Sequence, residues 1–208
     1  MTAALRHTLH LVPSTPGAGG TLVDSQQEAD DYLAESVVRQ WQPEHQFIGA
    51  LLYLTVDEAR PLLDLVPDTA ITKPVARWAY ELIRRLVDAG DKADPVSVLT
   101  AGKCHAARNA LRPAEPPTDK RQRELALYLV DAYTQNISSA LAGSLARQVL
   151  DDAYQRAFGN LGLRMQQLSE ADVDRAELTV QFGVIREELA ELWRRGEAAA
   201  KLAAGGAR

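Results

Sequence analysis

The last third of the sequence contains two long amphipathic helical patterns, and their length constrains the fold more than any other feature. The first runs from about residue 138 to 168, and the second follows the segment SEADVD at residues 169–174. At 1.5 Å per residue the first helix would span roughly 45 Å. Two long helices joined by a few residues fold back as an antiparallel hairpin, because neither can bury its apolar stripe alone. We expect Ser169 and Asp172 to cap the second helix.

Apolar residues recur along both patterns at helical spacing. In the second helix they alternate by fours and threes, which is a heptad seam. In the first helix the apolar surface is wider than one partner helix covers, and such an excess usually meets a second chain. We therefore predict an oligomer or partner interface made of Leu150, Tyr154, Phe158, Leu161, Met165, Phe182, Ile185 and Leu189. The alternative is that these residues form an ordinary intramolecular core.

Shorter helical patterns precede the hairpin, and the period-two alternation typical of strands is missing. They cover residues 25–41, 44–54, 56–66, 75–86 and 97–111. In the stretch ITKPVARWAYELIRRLVDAGDKADPVSV, Gly90 ends one helix, and Asp94 and Pro95 open the next. The predicted fold class is all-α, with a compact multi-helix head followed by a long antiparallel helical hairpin.

Proline and glycine divide the chain into four predicted segments. Residues 1–24 read as a flexible tail, because prolines and glycines interrupt any helical period there. Residues 25–112 form the helical head. The segment 113–119, PAEPPTD, is a proline-rich linker, since its three prolines cannot continue a helix. Residues 120–203 are assigned to the long helical hairpin.

The composition indicates an ordinary globular protein of 208 residues, with 46% hydrophobic residues and a formal net charge of -5. An acidic balance argues against a surface built mainly to hold phosphate backbones, so we expect nucleic-acid contact to be weak or indirect. Cys104 is the single cysteine, which excludes an intramolecular disulfide. No apolar run approaches the roughly 20 residues of a membrane span, and the start lacks the apolar core of a signal peptide. We expect a cytoplasmic protein with no membrane contact.

Residue patterns for catalysis and for cofactor or metal binding are weak. Gly102-Lys103 is followed by Cys104 instead of Ser or Thr, so the sequence contains no phosphate-binding P-loop. Cys104 and His105 are adjacent in a helical pattern, where neighbouring side chains diverge by about 100°, so we predict a buried, inert thiol. Paired carboxylates such as Asp151 and Asp152 fall on polar helix sides. We therefore expect no enzyme, no cofactor and no metal site.

Four groups of residues, spread over roughly residues 42–195, follow an order and spacing known from another protein family. They are Glu44 with FIGALL at 47–52; Pro74, Arg77, Tyr80, Glu81 and Ile83; Gly90, Asp94, Val96 and Val98; and, past the prolines, Tyr128, Leu129, Ala146, Val149, Asp151, Arg156 and Phe158. With the order of the helical elements, these groups resemble the N-terminal domain of DnaB-type replicative helicases.

The resemblance implies a non-catalytic module of DNA replication. In that family the head and hairpin form dimers that assemble into a ring collar, and the collar binds primase and loader proteins. The RecA-like ATPase domain of those helicases is missing from this sequence, which leaves either a piece of a helicase or a stand-alone adaptor. We thus expect self-association through the hairpin and docking of primase, a helicase loader or a replicative helicase. The alternative is a helical DNA-binding regulator with a dimerising hairpin, in which Arg77, Arg84 and Arg85 contact DNA.

Overall fold

The computed structural model describes residues 41–110, 113–171 and 173–205, which belong to one compact unit. All regular structure in these residues is helical, as predicted. The helices are α1 (Pro43–Leu51), α2 (Val56–Leu65), α3 (Pro74–Ala89), α4 (Pro95–Cys104), α5 (Asp119–Thr134), α6 (Ala142–Glu170) and α7 (Arg175–Gly205), with short 3₁₀ turns at Asp68–Ala70 and Ser139–Leu141. The predicted tail and nearly all of the predicted helix at 25–41 lie outside the described residues.

Helix α1 is the centre of the head, because every residue from Glu44 to Leu51 is buried. It packs against α3, α5 and α6. Helix α5 comes so close that a Cβ added at Gly49 would collide with the Ala132 carbonyl. Glycine at position 49 therefore allows the two backbones to approach within the core.

The junction between α3 and α4 forms as the sequence predicts. Gly90 adopts a left-handed conformation with φ of 85°, which glycine tolerates without a Cβ clash, and ends α3. The Asp94 carboxylate accepts hydrogen bonds from the backbone N–H groups of Val96 and Ser97, at 2.9 and 3.0 Å. Pro95 occupies the first turn of α4. These short-range contacts stop one helix and start the next.

Helix α5 follows the proline segment but packs with the head. Its buried residues Leu125, Leu129 and Ala132 join the main hydrophobic core, and its neighbours are α1, α3 and α4. The sequence-based boundary placed this helix with the hairpin. The packing differs because its narrow apolar stripe is covered by three head helices instead of the hairpin.

Helices α6 and α7 pack along each other as the antiparallel hairpin, and residues 171–174 connect them. The expected cap at Ser169 is wrong, since Ser169 lies inside α6 and its hydroxyl donates to the Gln166 carbonyl. Asp174 takes that role instead, because its carboxylate accepts the Glu177 backbone N–H at 2.8 Å. Asp172 lies outside the described residues.

Candidate functional site

The predicted interface residues of the hairpin divide into three groups by burial. Leu150, Leu161 and Ile185 are buried within the chain, and Leu150 belongs to the main core. Tyr154 and Leu189 are half-buried. The three remaining residues are exposed, Phe158 by 62%, Phe182 by 54% and Met165 by 44%. Exposed residues of this size are what a surface for a second chain requires, whereas the buried ones support the hairpin itself.

Trp193 on α7 extends this exposed group and was not predicted. It is 61% exposed, and its ring centroid lies 6.1 Å from that of Tyr154 in an edge-to-face arrangement. The Tyr154 and Phe158 centroids are 6.5 Å apart. The sequence did contain a signal, because Trp193 follows Leu189 by four residues and Phe182 by eleven, which is the spacing of one helix face. We call Tyr154, Phe158, Met165, Phe182, Leu189 and Trp193 the aromatic face.

A pocket of about 240 Å³ opens between α6 and α7 at the Trp193 end of the aromatic face. Tyr154 and Trp193 supply aromatic walls, and Asp151 and Glu197 supply carboxylates. Arg147 lies 3.7 Å from the Asp151 carboxylate, and both groups are more than half exposed. Exposed ion pairs of this kind contribute little, so the carboxylate is still available to another cation.

Outside the aromatic face, α7 carries a network of exposed ion pairs. Arg194 Nη2 lies 2.7 Å from the Glu187 carboxylate and 2.8 Å from that of Glu191. Glu191 also accepts from Arg195 at 2.8 Å. Hydrogen bonds from Arg194 and Arg195 lower the pKa of the Glu191 carboxyl, and the bonds to Glu187 and Glu191 raise the pKa of Arg194. These charged side chains pair with one another within one chain.

Two arginines of the hairpin fasten it to the head. Arg156 Nη2 donates to the Ala70 carbonyl at 2.5 Å, and its Nη1 lies 3.6 Å from the buried Glu44 carboxylate. Arg195 Nη1 donates to the carbonyls of Asp64 and Leu65 at the end of α2, at 3.2 and 3.1 Å. A cation at a helix C-terminus satisfies carbonyls that lack intrahelical partners. The hairpin base and the head are therefore held together by polar contacts as well as by the shared core.

Of the three arginines considered for DNA contact, Arg77 and Arg84 are engaged within the head, whereas Arg85 is exposed. Arg77 Nε donates to the Ile71 carbonyl at 2.8 Å. Arg84 pairs with Asp68 at 2.9 Å and donates to the Val66 carbonyl at 2.7 Å. Both guanidinium groups brace the turn before α3, which reduces the cationic surface that α3 could offer to phosphate groups.

Other candidate chemistry is sparse in the part of the chain that the structure describes. No group of three or more His, Cys, Asp or Glu side chains suited to a metal ion occurs there. None of the described helices is long and apolar enough to cross a membrane. Cys104 is exposed, so the prediction of a buried thiol is wrong. It ends the short helix α4 and projects beyond the head core, which the sequence pattern alone did not reveal.

A helical head fastened to a long antiparallel hairpin is the architecture that these observations define. Comparison of the sequence with protein-family models and with curated proteins finds no match. Among solved structures, the chain is similar to the crystal structure of the N-terminal domain of DnaB helicase from Mycobacterium tuberculosis. The two share 23% sequence identity with a TM-score of 0.54, over 72% of this chain and 95% of that chain. The prediction of a DnaB N-terminal-domain-like fold is confirmed.

Proposed function

We propose that the chain is a non-catalytic scaffold of DNA replication that self-associates through the aromatic face and docks primase, a helicase loader or a replicative helicase in the cytoplasm. The observation that carries the proposal is the exposure of Phe158, Phe182 and Trp193 on one side of a two-helix layer. The seam between the two helices buries Leu161 and Ile185, but a layer of two helices leaves its outward side in water. Association with a second chain would remove the exposed side chains from water.

The similarity in fold supports the replication context of this proposal. The domain that the chain resembles belongs to a helicase. In this chain, pairing of the hairpin with a second copy would leave the surface of the head accessible to other proteins. The weak nucleic-acid contact expected from the acidic composition agrees with a role through protein partners.

Sedimentation of the purified chain at micromolar concentration tests the self-association. We expect a dimer or a larger assembly, whose mass decreases on dilution. A compact monomer throughout this concentration range would refute self-association.

Co-purification with candidate replication proteins tests the docking. Each candidate (primase, helicase loader and replicative helicase) is tagged, purified separately and bound to a column. We expect at least one of the three to retain this chain at physiological salt. Retention of none of the three would refute the docking proposal and leave self-association standing. Nucleotide turnover by the purified chain would contradict the non-catalytic role.

DNA regulation remains the alternative function, and it is less well supported because Arg77 and Arg84 hold backbone carbonyls of the head. The two functions are separable by the salt dependence of duplex binding. A DNA-binding regulator should bind duplex DNA with an affinity that falls steeply as the salt concentration increases. The scaffold should show no such binding at physiological salt.

A further inference from the structure

The pocket at the end of the aromatic face has the chemistry of a site for a cationic side chain. Aromatic rings attract a guanidinium or ammonium group through their negative faces, and nearby carboxylates add charge attraction. Tyr154 and Trp193 provide the rings, while Asp151 and Glu197 provide the carboxylates. Glu197 is exposed and makes no ion pair with another described residue. The pocket therefore contains one carboxylate that Arg147 partly neutralises and one that no described residue neutralises.

Arg186 is the cation on the aromatic face that matches this pocket. It lies on α7 four residues after Phe182 and seven before Trp193, which places all three on one side of the helix. Arg186 is exposed and has no hydrogen bond or ion pair with any described residue. Of the other arginines of α6 and α7, five have described partners; these are Arg147, Arg156, Arg164, Arg194 and Arg195. Arg175 lies at the first residue of α7, far from the aromatic face's Trp193 end.

We propose that Arg186 of one copy occupies the pocket of a second copy, between Trp193 and Glu197, and that the same contact recurs in the opposite direction. This inference rests on the proposed self-association of the aromatic face and adds the residues that set its register. A two-fold dimer is isologous, so any contact between residues i and j occurs twice. Each copy therefore contributes one arginine and one pocket.

The spacing of the residues agrees with a two-fold axis near Phe158. Arg186 and Trp193 are separated by seven residues, or roughly 10.5 Å along α7, so an axis that pairs them lies at the level of Leu189. Because the pocket opens between α6 and α7, this axis passes between the two helices. Tyr154 contacts Trp193 across the antiparallel hairpin. Phe158 follows Tyr154 by four residues on α6, and Leu189 precedes Trp193 by four on α7. Because the helices are antiparallel, Phe158 therefore lies at the level of Leu189. Phe158 is thus level with the axis, on α6, and lies near its own copy across it.

The direction of the side chains favours the same pairing. Helical side chains lean toward the N-terminus of their helix. In an antiparallel pair of α7 helices, the N-terminal direction of one copy is the C-terminal direction of the other. Arg186 therefore leans from the level of the second copy's Trp193 toward its Glu197. Glu197 leans toward the incoming guanidinium.

Charge reversal at Arg186 tests the proposal. Arg186→Glu should weaken dimerisation about tenfold or more in sedimentation equilibrium, since the contact is lost twice in each dimer. Arg186→Lys should retain most of the affinity. The matched control Arg123→Glu makes the same change of charge at an exposed arginine of α5 and should leave the dimer unchanged. Circular dichroism should show equal helix content in all variants, because both positions are exposed.

A charge swap and a crosslink test the register. Combining Arg186→Glu with Glu197→Arg should restore most of the lost affinity, whereas Glu197→Arg alone should weaken it. In a Cys104→Ser background, a bifunctional maleimide should join two copies of Phe158→Cys into a covalent dimer and should not join two copies of Leu163→Cys, which lies on the opposite side of α6.

Each outcome separates this inference from the proposed function. A wild-type dimer that is insensitive to Arg186→Glu, is not rescued by the swap or fails to crosslink at position 158 would overturn the pairing and leave self-association intact. Rescue by the swap together with the crosslink would establish it. A monomeric wild-type chain would overturn both. Retention of basic peptides by a monomeric chain would identify another protein as the source of the cation and would also refute the pairing with a second copy.

Discussion

Phe158→Glu is the substitution that should separate folding of the chain from its assembly. Phe158 is 62% exposed on α6, and its ring centroid lies 6.5 Å from that of Tyr154. Removing an exposed side chain with so few contacts should change the free energy of unfolding by about 0.5 kcal/mol or less. The monomer should therefore remain helical.

The cost to the dimer is larger. Phenylalanine carries about 200 Å² of surface, so roughly 120 Å² of Phe158 is available for burial. At about 25 cal/mol per Å² this amounts to about 3 kcal/mol per copy and about 6 kcal/mol for a symmetric dimer, as an upper limit. A carboxylate at the same place would also have to be dehydrated. Because association has its own costs, we expect dimerisation to weaken by about 100-fold or more.

Sedimentation equilibrium and circular dichroism on the same samples measure both effects. Leu163→Glu is the matched control, since Leu163 is 61% exposed on the same helix but lies away from the aromatic face. We expect this control to assemble like the wild-type chain. If Phe158→Glu assembled normally, the aromatic face would not be the interface. If it lost its helical signal together with assembly, Phe158 would belong to the core, and the exposure-based reasoning would be refuted.

Three further variants probe the head by urea and thermal unfolding. Gly49→Ala forces a methyl group against the Ala132 carbonyl and should destabilise by about 1–3 kcal/mol, whereas Gly159→Ala meets nothing within 4 Å and should be neutral or stabilising; equal effects would contradict the close approach of α1 and α5. Asp94→Ala should cost about 1 kcal/mol at neutral pH. Backbone hydrogen bonds, chiefly from Ser97, lower the pKa of the Asp94 carboxyl, so its contribution should be present above the ordinary aspartate pKa of about 3.9 and disappear as pH falls below it; a difference independent of pH would argue against the cap. Tyr80→Phe should cost about 1 kcal/mol because the hydroxyl donates to a backbone carbonyl. Burial raises the pKa of Tyr80, so the wild-type chain should lose stability above about pH 10, where the unfolded tyrosine ionises, and the variant should lose less.

Local features of the fold could be predicted from the sequence because they depend on neighbours along the chain. The end of α3 requires only that Gly90 adopt a positive φ, and the start of α4 requires only a carboxylate two and three residues before free backbone N–H groups. The hairpin could be predicted for a similar reason. Two long apolar stripes separated by a few residues have one nearby surface on which to pack.

The tertiary structure decided which apolar residues are covered and by what. Helical periodicity places Leu150, Leu161 and Phe158 on one broad side of α6, yet only the first two are buried. Leu150 is covered because α6 packs against α1 and joins the main core, and no local pattern specifies that contact. The same limitation placed α5 with the hairpin, because the stripe of Leu125, Leu129 and Ala132 does not indicate which helices will cover it. Periodicity determines that a helix has an apolar side, whereas the neighbours that bury this side or leave it in water are set only when distant segments pack together.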